Sequence, residues 1–245
     1  LKERIITAIG ILAIISIVGY INNFYLMWAF IGAIYLIAIF ESIKLYKLPK
    51  NIHFYTIGSI IWILELFTNG LNLTLLLGAI FLGAIAYRPN LDWKLSLPFI
   101  YPIIPFLAIF EIYKIGNVEL ISWLILVVAL TDTMAYFVGR AVGKRGFSPT
   151  SPKKTLEGVF GGIFFGVLGG TILGNYLLEF SIIQILALSI FVSVLSIFGD
   201  LFESYLKRRA NIKDSGNILP GHGGILDRVD GYMLSGIALF VILKW

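Results

Sequence analysis

The sequence predicts an all-α polytopic membrane protein of about nine transmembrane helices, N-terminus cytoplasmic and C-terminus on the opposite side. Three observations carry this. Of its 245 residues 58% are hydrophobic, and the mean hydropathy of +0.92 lies outside the composition of soluble globular domains. The chain divides with short connections into nine stretches close to the roughly 20 apolar residues that a bilayer-spanning helix requires. Its basic residues sort to one side of those stretches, as cytoplasmic loops do.

The predicted spans are 5–21, 24–43, 53–68, 70–87, 95–113, 118–138, 158–177, 182–202 and 228–245, with 53–87 short enough to form a tight or partly re-entrant hairpin. Lys2 and Arg4 ahead of the first apolar run imitate a signal peptide. No small-residue cleavage site precedes Asn22-Asn23, however, and a second span follows at once, so the run is read as a span. The chain begins at Leu1 rather than Met, which leaves room for residues ahead of it. With the N-terminus inside, 17 of the 19 Lys and Arg residues are cytoplasmic: Lys2, Arg4, Lys44, Lys47, Lys50, Arg88, Lys94, Arg140, Lys144, Arg145, Lys153, Lys154, Lys207, Arg208, Arg209, Lys213 and Arg228. Lys114 and Lys244 fall on the other side. The expected organisation is an N-terminal transmembrane region, 1–117, of about five spans. A C-terminal catalytic region, 118–245, follows with about four spans and cytoplasmic loops at 139–157 and 203–227.

The first four spans carry few polar groups. Glu41 lies one turn before Lys44 and reads as half of an interfacial ion pair, and Glu65 also stands out. Pro98, Pro102 and Pro105 cannot donate backbone hydrogen bonds and should break or kink the fifth span. In the sixth span Asp132 is either a functional intramembrane acid or the partner of Arg140 or another interfacial base. Thr155 is placed to cap the seventh span, and Lys153 and Lys154 beside that helix start form either a phosphate cradle or ordinary cytoplasmic charge. Gly158, Gly162, Gly166, Gly170 and Gly174 recur every four residues. They form a packing face, used within the fold or at a subunit interface, so a homodimer is open.

The chemistry concentrates between Asp200 and Asp230. A helix continuing past the eighth span places Asp200, Ser204, Lys207 and Arg208 on one face. A loop with Lys213, Asp214, Pro220 and His222 leads through Gly223-Gly224 to Asp227, Arg228 and Asp230, the two acids three residues apart on a helix. Asp200, Asp227 and Asp230 suit a hard divalent cation such as Mg2+, with room for a second cation. Lys207, Arg208, Lys213 and Arg228 are matched to phosphates. Each element has a plainer reading alone: an interfacial salt-bridge set for the acids, lipid-headgroup anchoring for the basic run, a loop hydrogen bond for His222. Together, within 31 residues, they read as one site.

The pattern S-x-L-K-R-x4-K-D-x-G-x2-L-P-x-H-G-G-x-x-D-R-x-D, from Ser204 to Asp230, resembles the signature of the phosphatidate cytidylyltransferases, also called CDP-diacylglycerol synthases. The SPKKTLEG loop and the DTMAYFVGR segment are similar to that family too, so the likeness covers about residues 130–245. It implies an Mg2+-dependent transfer of the cytidylyl group of CTP to phosphatidate, yielding CDP-diacylglycerol and pyrophosphate for phospholipid biosynthesis. Asp200, Asp227 and Asp230 are then expected to hold one or two cations. Lys207, Arg208 and Lys213 bind phosphates, Lys153 and Lys154 line the same pocket, and Ser204, His222 and Arg228 contact substrate. The expected location is the cell (inner) membrane with the site facing the cytoplasm and lipids around it.

Two other classes compete. A CTP-dependent polyprenol or phytol kinase would transfer the γ-phosphoryl group instead and need a base for the hydroxyl proton. An ion-coupled transporter would use Asp132 and Asp200 for ions, but no internal repeat of the span pattern accompanies them. The sequence pI near 9.3 does not signal nucleic acid, because the bases sit in loops between spans. With no cysteine, thiol chemistry and disulfides are excluded.

Overall fold

Apolar runs broken by Asn, Gly and Pro dictate a chain of helices, and the computed structural model shows them over residues 2–49, 52–68, 70–88 and 90–244. Side chains of residues 2–5 and 52 are not described. The charges of Lys2, Arg4 and Lys50 counted above therefore lie outside the described residues. The helices are α1 (Lys2–Ile21), α2 (Phe24–Leu45), α3 (Ile52–Leu64), α4 (Gly70–Tyr87), α5 (Ile104–Val142), α6 (Leu156–Leu177), α7 (Ile182–Ala210) and α8 (Leu226–Leu243). Among the described residues five helical stretches are long and apolar enough to cross a membrane: α2, α4, Trp93–Val142, α6 and α7. At 13 residues α3 is about 20 Å long, short of the roughly 30 Å hydrocarbon core.

Local chemistry explains the boundaries. Asn23 caps α2 by accepting the Leu26 N–H at 3.1 Å. The proline cluster breaks the helical path as expected: a π-helical turn, Phe99–Ile103, holds Tyr101 at a non-helical φ of −146°. Gly116 and Asn117 leave helical geometry inside α5, between the stretches expected as the fifth and sixth spans. A left-handed Asn211, φ 60°, follows the end of α7 at Ala210. Helix α7 thus runs on through the first residues of the loop expected at 203–227, as the shared face of Asp200, Ser204, Lys207 and Arg208 requires.

The chain forms two compact units, Leu1–Phe110 with Arg209–Asp227 and Glu111–Arg208 with Arg228–Trp245. In the first, Tyr35 is fully buried, stacks on Trp62 at 4.8 Å and donates its hydroxyl to the Gly58 carbonyl at 3.0 Å. The Tyr46 hydroxyl donates to the Tyr101 carbonyl at 3.0 Å, tying α2 to the π-turn. In the second unit the glycine ladder of α6 is buried at all five positions. A Cβ at Gly162 would stand 2.6 Å from the Thr131 carbonyl, and one at Gly170 would stand 2.7 Å from Val127 and 2.8 Å from Ser189. The ladder is therefore used within the fold, where α6 lies against α5 and α7. Trp123, fully buried, donates its indole N–H to the Gly170 carbonyl at 2.7 Å and joins the same seam.

Between α5 and α6 lies the segment expected as the loop 139–157. It holds an antiparallel hairpin, β1 (Gly146–Ser148) with β2 (Ser151–Thr155). Glu157 closes its base by accepting the N–H groups of Lys144 and Arg145 at 3.0 and 3.2 Å. Thr155 caps α6 as foreseen, accepting the Gly158 N–H at 3.2 Å.

Candidate active site

Within the second unit three helices and the hairpin bring an acidic cluster and two lysines together. Asp200 sits on α7, one carboxylate oxygen 2.5 Å from the Lys154 ammonium and the other accepting the Ser204 hydroxyl at 3.3 Å. Lys154 reaches it because β2 lies near α7, where Phe147 of the hairpin meets Phe198 at a ring separation of 6.3 Å. Adjacent strand residues point to opposite faces. Lys154 accordingly turns toward Asp200, while Lys153 is exposed.

Asp230 comes from α8. A Cβ on Gly199 would collide with the Asp230 carbonyl and stand 3.4 Å from the Gly231 Cα, so α7 and α8 touch backbone to backbone there. A Cβ on Gly231 would meet Val128 at 3.1 Å and the Asp132 carboxylate at 3.5 Å, which places α5 at the same crossing. Asp132 is accessible and within electrostatic range of Lys154 and Asp200; Asp230 is within range of Asp200, Asp132 and Lys207. Half-buried Tyr232 faces the charges of Asp132 and Asp230. Asp132 thus lies by the other two acids and by Lys154.

Lys207 is not isolated above this cluster, for its ammonium lies 3.4 Å from the carboxylate of fully buried Glu203. Sequence reasoning overlooked Glu203, although an i,i+4 Glu-to-Lys pair on a helix was the available signal. Arg208 and Arg228 are exposed.

The rest of the predicted site belongs to the loop of the first unit. Lys213 and Asp214 are exposed there. Gly221 and Gly223 take positive φ, 74° and 82°, around a tight turn in which the His222 N–H donates to the Leu219 carbonyl at 2.9 Å. Asp227 accepts two backbone bonds on a single oxygen, Ser215 N–H at 2.9 Å and Gly224 N–H at 2.8 Å, and that oxygen lies 3.1 Å from the Ser215 hydroxyl, whose one proton it shares with Glu41. It organises the loop, a role that its predicted place among the cation ligands did not suggest.

A second overlooked residue is Glu41 of α2, expected to pair with Lys44. It is 2% exposed and accepts the Ser215 hydroxyl at 2.8 Å, the Ile225 N–H at 2.9 Å and the Leu226 N–H at 2.9 Å. Burial removes it from the surface, and three donors satisfy its carboxylate in place of a lysine.

Among the described residues no group of three or more His, Cys, Asp or Glu side chains is placed to hold a metal ion by itself. The donors present at the acid cluster are all hard carboxylate oxygens, the set that fits Mg2+ completed by water and substrate phosphates.

Acids held against lysines where helices cross, in a chain of apolar helices, define an integral membrane protein with a built polar site. The chain belongs to the cytidylyltransferase family, whose profile matches residues 2–245. It is 36% identical over 244 residues to the phosphatidate cytidylyltransferase of Helicobacter pylori strain J99, covering 99% of this chain and 91% of that protein. Shorter matches reach the phosphatidate cytidylyltransferases of Bacillus subtilis strain 168, 48% identical over 115 residues (46% of this chain, 43% of that one), and Thermotoga maritima, 39% over 150 residues (57% and 53%).

Proposed function

We propose that this protein transfers the cytidylyl group of CTP to phosphatidate, releasing pyrophosphate and forming CDP-diacylglycerol. The observation that carries the reading beyond family membership is the charge balance of the acid cluster. Four carboxylates, Asp132, Asp200, Glu203 and Asp230, face two ammonium groups, Lys154 and Lys207. Carboxyl oxygens beside two ammonium groups suit an anionic triphosphate that arrives with a divalent cation. Asp200 and Asp230 are the residues proposed to hold Mg2+. When bound, the metal would supply charge neutralisation and polarisation of phosphate oxygens.

The nucleophile in this reading is the phosphate of phosphatidate, already anionic at neutral pH, so no strong general base is required. The barrier is repulsion between that anion and the triphosphate. Lys154 is held by Asp200 and Lys207 by Glu203, so both are pre-oriented to meet phosphate oxygens without first being ordered. Exposed Arg208, Lys213 and Arg228 suit the first capture of CTP from water. Ser204 orients Asp200.

Nine spans, a cytoplasmic N-terminus and a site facing the cytoplasm of the cell membrane belong to the same proposal, supported by the sorting of 17 of 19 basic residues. The test follows labelled CTP with phosphatidate in mixed micelles, with Mg2+ or with EDTA, for the wild type and Asp200→Asn. Mg2+-dependent CDP-lipid and pyrophosphate, lost in the variant, are expected. CDP and a phosphorylated prenol formed only when a prenol replaces phosphatidate would establish a kinase instead. Absence of turnover with every lipid, alongside ion-coupled counterflow in liposomes, would establish a transporter.

A further inference from the structure

We infer that Glu41, deep in the N-terminal half, is a positioning residue for turnover: it sets the conformation of the loop 211–227 and anchors the start of α8. The inference rests on the cytidylyl-transfer reading for its kinetic part and on geometry alone for its structural part. Every residue involved lies in the first compact unit.

The first N–H groups of a helix have no partner inside it and require an acceptor from elsewhere. For Leu226, the first residue of α8, and Ile225 just before it, that acceptor comes from far away in the chain. It is a carboxylate from α2, 184 and 185 residues away in sequence, which takes the N–H groups of Ile225 and Leu226 on separate oxygens. The oxygen facing Leu226 also accepts the Ser215 hydroxyl, whose residue in turn donates its N–H to Asp227. Glu41, Ser215 and Asp227 thus form one network across the loop.

The glycines of the loop are fitted to this carboxylate. A Cβ at Gly216 would stand 2.7 Å from the Glu41 carboxyl carbon, and one at Gly224 would stand 2.5 and 2.6 Å from its two oxygens. Neither glycine has the positive φ of Gly221 and Gly223. Close approach of Glu41 is what requires a hydrogen at both positions. A second helix of the unit contributes as well, since the Thr7 hydroxyl of α1 donates to the Pro220 carbonyl at 3.2 Å.

Glutamine is nearly the same shape but presents one N–H2 face. In Glu41→Gln either the Ile225 N–H or the Ser215–Leu226 pair loses its acceptor and meets a donor. The experiment measures kcat and KM per folded molecule well below the melting temperature, together with amide hydrogen exchange, for the wild type, Glu41→Gln, Ser215→Ala and Gly216→Ala. Expected for Glu41→Gln are a kcat at least tenfold lower, a KM for CTP within threefold of wild type, and exchange at least tenfold faster at Ser215 and Gly224–Leu226 with residues 118–142 unchanged. Gly216→Ala should reproduce the kcat loss, because its methyl displaces the same carboxylate. Ser215→Ala should give a smaller loss and decides the matter should Glu41→Gln not accumulate folded. Wild-type kcat in folded variants, even with a lowered melting temperature, would overturn the positioning role, as would unchanged exchange in the loop. Should the wild type not turn over CTP with phosphatidate, the functional reading fails while the exchange comparison still decides whether Glu41 holds the loop.

Discussion

Alanine at Gly162 and at Gly78 changes the same atoms in the same kind of helix, yet the outcomes should differ in sign. At Gly162 the new methyl would sit 2.6 Å from the Thr131 carbonyl oxygen, 2.8 Å from the Ala135 Cβ and 3.2 Å from the Ala135 Cα. Carbon meets a carbonyl oxygen at about 3.3 Å and another carbon at about 3.5 Å, so α6 must back away from α5 by roughly 0.7 Å. The obstructing atoms are backbone and Cβ, which cannot rotate aside, so the overpacking penalty of about 1–3 kcal/mol applies. Against it stands a helix-propensity gain of up to about 1 kcal/mol. At Gly78 of α4 nothing lies within 4 Å, and only the gain remains. The two variants should therefore differ by about 1–3 kcal/mol, which for a chain of this size is about 2–12 °C in melting temperature. Thermal unfolding in one detergent, followed by circular dichroism, reads this directly. A Gly162→Ala protein melting with or above Gly78→Ala would refute the close-packing account of the ladder.

Other outcomes follow from the same geometry. Asp200→Asn should lower kcat/KM by about 10²–10³, since it weakens Lys154 orientation and cation binding together, whereas Ser204→Ala removes only a 3.3 Å bond and should stay within about tenfold in the micelle assay. Trp123→Phe removes the donor to the Gly170 carbonyl and should destabilise the protein by about 1–3 kcal/mol in a denaturation series. Gly223→Ala forces a side chain into φ 82° and toward the Asp227 oxygen at 2.8 Å. It should cost at least about 1–2 kcal/mol and reduce turnover, measured as melting temperature and kcat.

What could be read from sequence was what local spacing encodes. The four-residue repeat of glycine announced a packed face, Thr155 announced a cap, and the long motif from Ser204 to Asp230 the family. What could not be read was pairing across distance. Glu41 had Lys44 one turn away and its true partners some 174 residues further on, and only the folded chain distinguishes them. The hairpin at 146–155 is too short and too proline-rich to carry an alternating pattern, yet it decides which of Lys153 and Lys154 reaches Asp200. Gly199 and Gly231 looked incidental beside their aspartates. Their missing side chains are what let α7, α8 and α5 meet, and so what brings the acids near one another.

The division of roles between the halves has a physical basis in the solvent. A helix that starts in water can leave its first N–H groups to water, but one whose first N–H groups are buried must find protein acceptors for them. The loop before α8 is rich in glycine, which gives the backbone freedom and removes the side chains that could cap it. A carboxylate brought in by a transmembrane helix solves that problem, and it does so only if the helix is fixed. Tyr46 bonded to Tyr101 and Tyr35 stacked on Trp62 fix α2 within its unit. The apolar N-terminal spans, which carry no chemistry of their own, are in this way part of what gives the polar loop a single conformation. Substitutions at Tyr46 should therefore reach the exchange rates of Ser215 and Leu226 through Glu41, while leaving those of the Lys154 hairpin as they are.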